Sequence, residues 1–392
     1  MILNGRGERI RTSDPLVPNQ VLYQAEPLPE LALGKYVYDR KAPGRSPRTA
    51  PQTTSECNRS AASTRHPRSR KLRRGVSSRR TQMKPVQQLD LTGLHVLDGA
   101  MATELERKGF NLDGPLWSAH VLESSPEAIA AVHRDYLEAG ADCLLTGSYQ
   151  VSTEGFEQIG HRPDKAASSA ADALRTSVST AEQVRTEYHS RSPRKIWIAA
   201  SLGPYGAMLH NGAEYHGNYN CSFDELVAFH GRRISVLAET NADFLAFESI
   251  PSLEEAKAIL DALRSYPDLP VYLSFTCRDR SHVSHGETLR ACAELLDKQP
   301  QVIGIGVNCT APELIGSLVG ELAGVTRKPI LVYPNSGEQW DAVHHCWLGD
   351  GQIQQYGELA QQWRSAGAQW IGGCCRTGPE HVRAVAHLWR KG

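Results

Sequence analysis

Two stretches of sequence decide the fold: residues 302–313 read VIGIGVNCTAPE, and residues 369–380 read QWIGGCCRTGPE. Each begins with a short apolar run, as expected of a strand that is buried on both faces. A cysteine follows each run, and the sequence Thr-x-Pro-Glu then predicts a capping box with proline in the first turn of a helix. Buried strands that alternate with helices are typical of parallel α/β folds.

The same alternation extends over the whole chain from residue 94 onward. Eight short apolar runs predict strands at 94–97, 142–146, 196–201, 243–248, 271–276, 302–308, 330–334 and 369–374. Amphipathic helical patterns lie between them, and Ser-x-x-Glu capping boxes open two of these helices at Ser222 and Ser252. Eight strand–helix units without a sequence repeat predict a single (β/α)8 TIM barrel. A doubly wound open sheet is the alternative fold.

The first 82 residues are a different kind of polypeptide. They carry 17 Lys and Arg against 6 Asp and Glu, whereas the other 310 residues carry 26 against 37. Because this segment has no sustained apolar period, we expect a disordered basic extension over 1–86 and a barrel domain over 87–392. A transit peptide, a basic tail and an over-extended reading frame with a natural start at Met83 all fit this composition, and we favour the last. Nucleic-acid binding is not the function that we expect.

Cysteine usage indicates the redox environment. The chain has nine cysteines at scattered spacings, and its start lacks the apolar segment of a secretory signal. An odd count without export argues against a disulfide framework, so we expect reduced thiols and a cytoplasmic protein. No apolar run reaches the roughly 18–20 residues that a membrane helix needs, so no membrane association is expected.

Polar and reactive side chains follow several of the predicted strands. These are Asp98, Thr146, Glu248, Cys309, Asn335 and the pair Cys374-Cys375. In a (β/α)8 barrel the carboxyl ends of all strands meet at one face, which is where the chemistry of this fold is found. The sequence therefore predicts one site assembled from distant parts of the chain.

Three of these residues, Cys309, Cys374 and Cys375, are a candidate zinc site. Each thiol precedes a predicted helix N-terminus, whose partial positive charge favours the thiolate that binds metal. Gly372 and Gly373 would let the backbone pass close to a bound group. Three sulfur ligands leave one position of Zn²⁺ open, as in catalytic sites, and a soft environment of this kind suits a further sulfur atom. The other candidates, Cys143, Cys277, Cys292 and Cys346, are expected to be small buried hydrophobic residues.

The segments GVNCT (306–310) and IGGCCRTGPEHV (371–382) resemble those of the zinc-dependent homocysteine S-methyltransferases. Further similar segments are VLDGAMATELERKG at 96–109, ADCLLTGSYQVSTEGF at 141–156, SLGPYGAMLHNGAEYHGNY at 201–219 and LVYPNSGEQWDA at 331–342. Together they resemble most the branch that uses S-methylmethionine. The likeness runs from about residue 90 to the end.

The resemblance implies roles for specific residues. It implies zinc ligands at Cys309, Cys374 and Cys375, and carboxylates that hold the amino group of homocysteine at Asp98 and Glu248. It also implies a contact of Thr146 with the substrate carboxylate. The expected reaction moves a methyl group from a sulfonium donor, S-methylmethionine or S-adenosylmethionine, to the thiol of homocysteine, which gives methionine. The alternatives are betaine or another methyl donor, and a zinc- or thiol-binding barrel without turnover.

Two loops are singled out by composition. The loop at 203–221 is rich in Gly and Asn and is a candidate lid, and its tyrosines, with Tyr149, could hold a cationic sulfonium. The tyrosines concerned are Tyr149, Tyr205, Tyr215 and Tyr219, and ordinary packing is the alternative for each. The other loop carries Ser284-His285-Gly286 where relatives tend to have Ser-Asp-Gly, which puts any shared role of that loop in doubt.

Overall fold

The computed structural model describes residues 83–390, except for residues 90, 92, 113–115, 342–345 and 349–352. The predicted disorder and possible roles of residues 1–82 lie outside these described residues. Met83 is buried and Val86 packs against the barrel interior. The described chain therefore contacts the core ahead of residue 87, and the domain boundary stays a prediction.

The described strands form a closed parallel barrel and a separate hairpin. They are β1 (His95–Val96), β2 (Cys143–Leu145), β3 (Trp197–Leu202), β4 (Phe244–Ile250), β5 (Val271–Phe275), β6 (Val302–Asn308), β7 (Ile330–Tyr333), β8 (Gln339–Asp341), β9 (Cys346–Leu348) and β10 (Trp370–Ile371). Eight of them pair in parallel in the order β1-β10-β7-β6-β5-β4-β3-β2. A parallel bridge between Leu97 and Cys143 joins the two ends of this order. The closure confirms the predicted (β/α)8 barrel and excludes the open doubly wound sheet.

Helices surround the barrel, and one or more of them follow each barrel strand, although the hairpin β8–β9 comes between β7 and the next helix. They are α1 (Met101–Arg107), α2 (Ser118–Ser124), α3 (Pro126–Ala139), α4 (Thr153–Gln158), α5 (Pro163–His189), α6 (Tyr205–Leu209), α7 (Phe223–Leu237), α8 (Leu253–Ala262), α9 (Leu289–Asp297), α10 (Pro312–Ala323), α11 (Ile353–Ala366) and α12 (Pro379–Arg390). Among the described residues, none of these helices combines the length and the apolar character required to cross a membrane.

The apolar residues of the strands divide into two packed layers. One set points into the barrel and includes Trp197, Phe244, Tyr272 and Trp370. The other set faces the helices and forms the larger core. Strands β4 and β6 are buried at every position, which explains why the sequence shows continuous apolar runs there instead of alternation.

Two predicted capping boxes have different outcomes. Ser222 and Glu225 form the complete reciprocal pair at the start of α7. At α8, the Ser252 hydroxyl accepts a hydrogen bond from the Glu255 backbone N–H, but the Glu255 carboxylate turns away from the cap. It accepts hydrogen bonds from the Tyr205 backbone N–H and the Tyr219 hydroxyl instead. The second capping-box prediction is therefore half wrong, because the loop after β3 competes for this carboxylate.

The antiparallel hairpin β8–β9 was not predicted. It lies between β7 and α11, and each of its strands has three residues. A strand of this length shows too little alternation for a sequence pattern to indicate it.

The cysteines outside the predicted metal site are buried as expected where the structure describes them. Cys143, Cys277 and Cys292 are free and almost inaccessible to solvent. The side chain of Cys346 lies outside the described part of the chain.

Candidate metal centre and substrate cavity

All the predicted site residues line one cavity at the carboxyl end of the barrel strands. They are Asp98, Thr146, Glu248, Cys309, Cys374 and Cys375. The cavity has a volume of about 210 Å³. Residues more than 200 positions apart in sequence meet here because parallel strands present all their carboxyl ends at one face.

The three thiols form a compact cluster. The Sγ atom of Cys309 lies 3.1 Å from that of Cys374 and 3.4 Å from that of Cys375. All three sulfurs lie within 4.8 Å of one another, and no other group of three potential metal ligands is found among the described residues. Sulfur ligands at about 2.3 Å from a tetrahedral metal are roughly 3.8 Å apart. The spacing of the cluster therefore fits three ligands of a single ion.

Backbone geometry turns these thiols toward each other. Cys309 has a φ of 50° and Arg376 has a φ of 66°, both in the left-handed region that residues other than glycine rarely adopt. The Cys309 backbone N–H donates to the Tyr333 carbonyl, and the Cys374 N–H donates to the Pro334 carbonyl. Hydrogen bonds to the neighbouring strand end thus hold a strained conformation, as is common at functional sites.

The two glycines before the cysteines are needed by the fold itself. A Cβ atom on Gly372 would lie 2.5 Å from the Leu97 Cβ, and one on Gly373 would lie 2.3 Å from the Thr377 Oγ1. Both distances are shorter than real contacts allow. The atoms nearest to both glycines therefore belong to the protein itself and not to a bound group. The absence of a side chain at these positions allows the end of β10 to pack closely against the end of β1 and against the loop that follows β10.

The predicted Thr-x-Pro-Glu capping boxes are wrong. Helix α10 begins at Pro312 with Ala311 at its N-cap, so Thr310 lies one residue too early to cap it. The Thr310 hydroxyl donates to the Asn308 carbonyl and accepts from the Cys277 backbone N–H. The equivalent Thr377 hydroxyl donates to the Cys374 carbonyl at 2.6 Å. Both threonines brace the cysteine loops instead of capping the helices.

The protonation of the cluster depends on its shared hydrogen bonds. Bonds to Cys309 and Cys375, together with burial, raise the pKa of the Cys374 thiol well above its ordinary value. Bonds from Cys309 and Cys374 lower the pKa of Cys375 well below that value. A bound metal ion would favour the thiolate form of all three cysteines.

Asp98 is fixed between the first two strands. It is buried, and one of its carboxylate oxygens accepts a hydrogen bond of 2.8 Å from the Leu145 backbone N–H. Burial raises the pKa of Asp98 well above its usual range, and the nearby charge of Glu248 acts in the same direction. A carboxylate in this position binds a cation favourably, because the cation offsets both effects.

Glu248 lies at an irregularity near the end of β4. The register of β4 with β5 shifts between Phe247 and Ile250, and Ser249 has a φ of 58°. The Glu248 carboxylate accepts a hydrogen bond from the Ser201 hydroxyl. Burial raises the pKa of Glu248 to about 8, although its hydrogen bonds oppose this. The strand irregularity re-aims one carboxylate into the cavity, as bulges near active sites often do.

Thr146 is buried at the cavity, but its hydroxyl is already engaged. It accepts a hydrogen bond from the Ser201 backbone N–H and lies 2.7 Å from the Ser148 hydroxyl. Because Ser148 donates its proton to the Ser201 carbonyl, Thr146 has to donate to Ser148. The predicted contact with a substrate carboxylate stays a prediction, and in this geometry the hydroxyl joins the ends of β2 and β3.

Asn308, the residue before Cys309, was not singled out in the sequence although it supports the site. Its side-chain oxygen accepts hydrogen bonds from the Ser249 backbone N–H and the Ser274 hydroxyl. Its amide donates to the Ser249 hydroxyl and lies 3.9 Å from the Cys374 sulfur. One amide thus ties the strained segment after Glu248 to the thiol cluster. Its place in the segment GVNCT at the end of a buried strand was the available signal.

The four candidate tyrosines divide into two pairs. Tyr149 and Tyr215 line the cavity, and the Tyr215 hydroxyl lies 3.5 Å from the Cys309 sulfur. Tyr205 and Tyr219 pack against each other with ring centroids 5.5 Å apart and bond to Glu255. The first pair can touch a substrate, whereas the second pair secures the 203–221 loop.

His285 does not line the cavity. Its backbone N–H donates to the Pro251 carbonyl, and its ring bonds to the Glu287 carboxylate at 3.0 Å. It also lies against Gly217 of the 203–221 loop. The residue that differs from the Ser-Asp-Gly of relatives therefore lies outside the cavity and contacts the 203–221 loop.

The chain is similar to a family of known proteins. The family model described as "Homocysteine S-methyltransferase" matches residues 95–389. Homocysteine S-methyltransferase YbgG of Bacillus subtilis is 48% identical over 311 residues, which is 78% of this chain and 97% of the relative. Selenocysteine Se-methyltransferase of Brassica oleracea var. italica is 41% identical over 308 residues, which cover 75% of this chain and 88% of the relative. The crystal structure of the homocysteine methyltransferase MmuM from Escherichia coli in its metallated form has a TM-score of 0.69 and 40% identity, over 77% of this chain and 99% of that one.

Proposed function

The chain belongs to the homocysteine S-methyltransferase family of enzymes, and on that premise we propose that it uses a zinc site and a sulfonium donor to methylate homocysteine. The acceptor reaction, methyl transfer to homocysteine to give methionine, is that of the family. The identity of the metal, the preferred donor and the role of each residue are the parts that we propose.

Zinc is the metal that suits the donor set. Three cysteine sulfurs in one compact cluster favour a borderline-soft ion, and three protein ligands leave a position open. We assign Cys309, Cys374 and Cys375 as the ligands. When bound, zinc supplies Lewis acidity that lowers the pKa of a substrate thiol, so that homocysteine is a thiolate at neutral pH.

Asp98 and Glu248 are assigned to the ammonium group of homocysteine. Each carboxylate is buried, and the pKa of each is raised by burial above its usual value. Binding an ammonium group supplies the missing opposite charge and favours the ionised form of both. The two residues therefore select an amino acid and fix where its thiol lies.

The transfer needs little proton chemistry from the protein. One carbon–sulfur bond forms between the homocysteine sulfur and the methyl carbon, while the bond from that carbon to the donor sulfur breaks. The donor sulfur keeps the electron pair and leaves as a neutral thioether. The protein's task is then to align the reacting atoms and exclude water, and fixed strand-end side chains are suited to it. With S-methylmethionine as donor, both products are methionine.

The observation that carries this proposal is the meeting of three thiols and two buried carboxylates in a single cavity. The test is an assay of the zinc-loaded protein with homocysteine and S-methylmethionine, run beside S-adenosylmethionine and betaine. We expect methionine to form fastest with S-methylmethionine and to form with none of the three donors after zinc is removed. Turnover that survives zinc removal would contradict the metal role, and no turnover with any donor would favour a binding barrel without activity.

Selenocysteine is a second candidate acceptor. The observation that favours it is the 41% identity to a selenocysteine Se-methyltransferase. A soft thiolate-rich site also suits selenium. Competition between homocysteine and selenocysteine in one assay decides which acceptor has the larger kcat/KM.

A further inference from the structure

A third buried carboxylate, that of Glu214, lines the cavity and has no assignment in the proposed reaction. It is 5% exposed, and its Oε2 atom has no hydrogen-bond partner among the described residues. Burial raises the pKa of Glu214 to about 7. A buried carboxylate oxygen without a hydrogen-bond partner is unfavourable, so the Oε2 atom of Glu214 in this cavity calls for a ligand that completes it.

The 203–221 loop holds this carboxylate in place. Helix α6 packs so tightly against the turn Ala213–Tyr215 that a Cβ atom on Gly206 would lie 2.4 Å from the Glu214 backbone nitrogen. On its other side, the Glu214 carbonyl accepts a hydrogen bond from the Thr276 hydroxyl at the end of β5. The turn is therefore clamped between α6 and the barrel.

The cavity around Glu214 is rich in aromatic side chains. Tyr149 and Tyr215 line the same cavity, and the charge of Glu214 acts on Tyr149. Among the described residues that line the cavity, Arg376 is the one Lys or Arg. Its Nε atom lies 2.6 Å from the Glu338 carboxylate, with which it forms an ion pair. A sulfonium has no N–H or O–H to donate, and it is bound by charge and by aromatic faces. A carboxylate beside two tyrosine rings offers both.

We propose that Glu214, together with Tyr149 and Tyr215, binds the sulfonium centre of the methyl donor and sets the preference for a charged donor over its neutral thioether product. The inference rests on the proposed function, because the acceptor sulfur is then beside Cys309. The Tyr215 hydroxyl lies 3.5 Å from the Cys309 sulfur. A donor methyl in reach of the acceptor has to lie near this tyrosine and its neighbour Glu214.

The charges of the substrates agree with this assignment. Homocysteine and S-methylmethionine together bring two ammonium groups, two carboxylates and one sulfonium, and the three cationic groups need anionic partners. Asp98 and Glu248 are assigned to the ammonium of homocysteine, which leaves Glu214 for the donor. After transfer the donor sulfur is neutral, so its attraction to Glu214 is lost and the product can leave.

The test compares Glu214→Gln with the wild-type protein in the zinc-loaded form. The KM for S-methylmethionine and the inhibition constant of methionine against that donor are measured at saturating homocysteine. We expect the KM for S-methylmethionine to rise at least about tenfold, which corresponds to about 1.4 kcal/mol. The inhibition constant of methionine and the KM for homocysteine should change less than about twofold, since neither of these two sulfur atoms carries a positive charge.

Two matched variants accompany this measurement. Glu157→Gln removes an exposed carboxylate outside the cavity and should leave both constants unchanged. Glu214→Asp keeps the charge and should keep most of the preference for the sulfonium. Glu214→Gln should also raise the melting temperature of the substrate-free protein, because it removes a buried charge on a carboxylate whose Oε2 atom has no partner among the described residues.

Two results would overturn the inference. One is an unchanged KM for S-methylmethionine in Glu214→Gln, and the other is an equal weakening of S-methylmethionine and methionine, which would place the shared ammonium group at Glu214. Calorimetry with the same two ligands gives their affinity ratio without turnover. A wild-type protein that transfers no methyl group would contradict the proposed function, and the ratio from calorimetry would still decide the role of Glu214.

Discussion

The two sides of the cavity are built differently. Asp98, Glu248 and the three cysteines lie at or next to the ends of barrel strands, where the hydrogen-bonded register fixes the backbone. Glu214 and Tyr215 lie on the 203–221 loop, more than ten residues after the end of β3. The loop depends instead on side-chain bonds to the helices around it, chiefly those of Glu255. In the function that we propose, the acceptor and the metal are therefore held at the strand ends, and the donor is held by the 203–221 loop.

This difference predicts which changes abolish the reaction and which change donor use. Substitutions at strand ends should remove the metal or the acceptor, with large effects. Substitutions that loosen the loop should weaken the donor and leave the acceptor in place.

The largest effect is expected from Cys309→Ser and Cys374→Ser. Each should lower bound zinc from about one per chain to near zero and reduce kcat/KM by roughly a thousandfold or more, because activation of the thiol is lost. Zinc content and methionine formation check this, while circular dichroism should show an intact fold. Cys292→Ala, at a buried cysteine outside the cavity, is the control and should retain zinc. A Cys309→Ser protein that keeps its zinc would refute the ligand assignment.

Asp98→Asn and Glu248→Gln should come next. Each is expected to raise the KM for homocysteine about thirtyfold or more, about 2 kcal/mol, because an ammonium group loses a buried partner. The KM for the donor should change by a much smaller factor. Steady-state kinetics with each substrate varied in turn measures this split, and the exposed Glu239→Gln serves as control. Equal increases in both KM values would argue against a specific role in acceptor binding.

The pH dependence of stability follows from the same carboxylates. The pKa of Glu248 is about 8 in the folded protein, against an ordinary value of 4.5. The folded state therefore binds more protons than the unfolded state, and the free energy of unfolding should fall as pH rises from about 4.5 to about 8. Urea denaturation at pH 5.5 and 8 should show this loss, and Glu248→Gln should lose less. The pKa values of Asp98 and Glu214 are also raised by burial. The free energy of unfolding of Glu248→Gln should therefore still fall with pH, but less steeply.

Added homocysteine provides a second check on the pH effect. If Glu248 faces an ammonium group, the bound substrate should favour its ionised form and reduce the loss of stability at pH 8. An identical pH slope with and without homocysteine would contradict the assigned contact.

The smallest effect is expected from Glu255→Gln. This variant tests whether the 203–221 loop can be loosened without changing the strand-end side of the cavity. The buried Glu255 carboxylate accepts from Tyr205 and Tyr219 of the loop and bonds to His230 at 2.9 Å. Weakening these bonds should raise the KM for S-methylmethionine by about five- to tenfold, roughly 1 kcal/mol, and leave the KM for homocysteine nearly unchanged. Hydrogen exchange should increase over residues 205–219. The neighbouring exposed Glu254→Gln is the matched control and should behave as wild type.

The sequence was sufficient to predict which strand-end residues line the cavity. Buried strands give continuous apolar runs, so the residue after each run is visible, and three cysteines at such positions have a limited set of explanations. The strand-end prediction did not extend to the roles of the bracing residues. Thr310 and Thr377 have the spacing of helix caps, but the helices begin one residue later than a capping box requires.

The loop half could not be predicted in the same way. Glu214 lies in the sequence NGAEYHG, which has no periodicity, and its burial depends on Gly206 and Thr276 from other elements. Likewise, the sequence around Glu255 predicts a helix cap and gives no indication of its hydrogen bonds to Tyr205 and Tyr219. Tertiary contacts decide both cases, and a single sequence does not contain a local signal for them.

X-ray absorption at the zinc edge, with and without homocysteine, tests the central claim most directly. The zinc-loaded protein alone should show three sulfur neighbours and a lighter fourth ligand, and homocysteine should convert this to four sulfurs. A sulfur count that is unchanged by homocysteine would contradict the account, because the acceptor thiol would then not be activated at Cys309, Cys374 and Cys375.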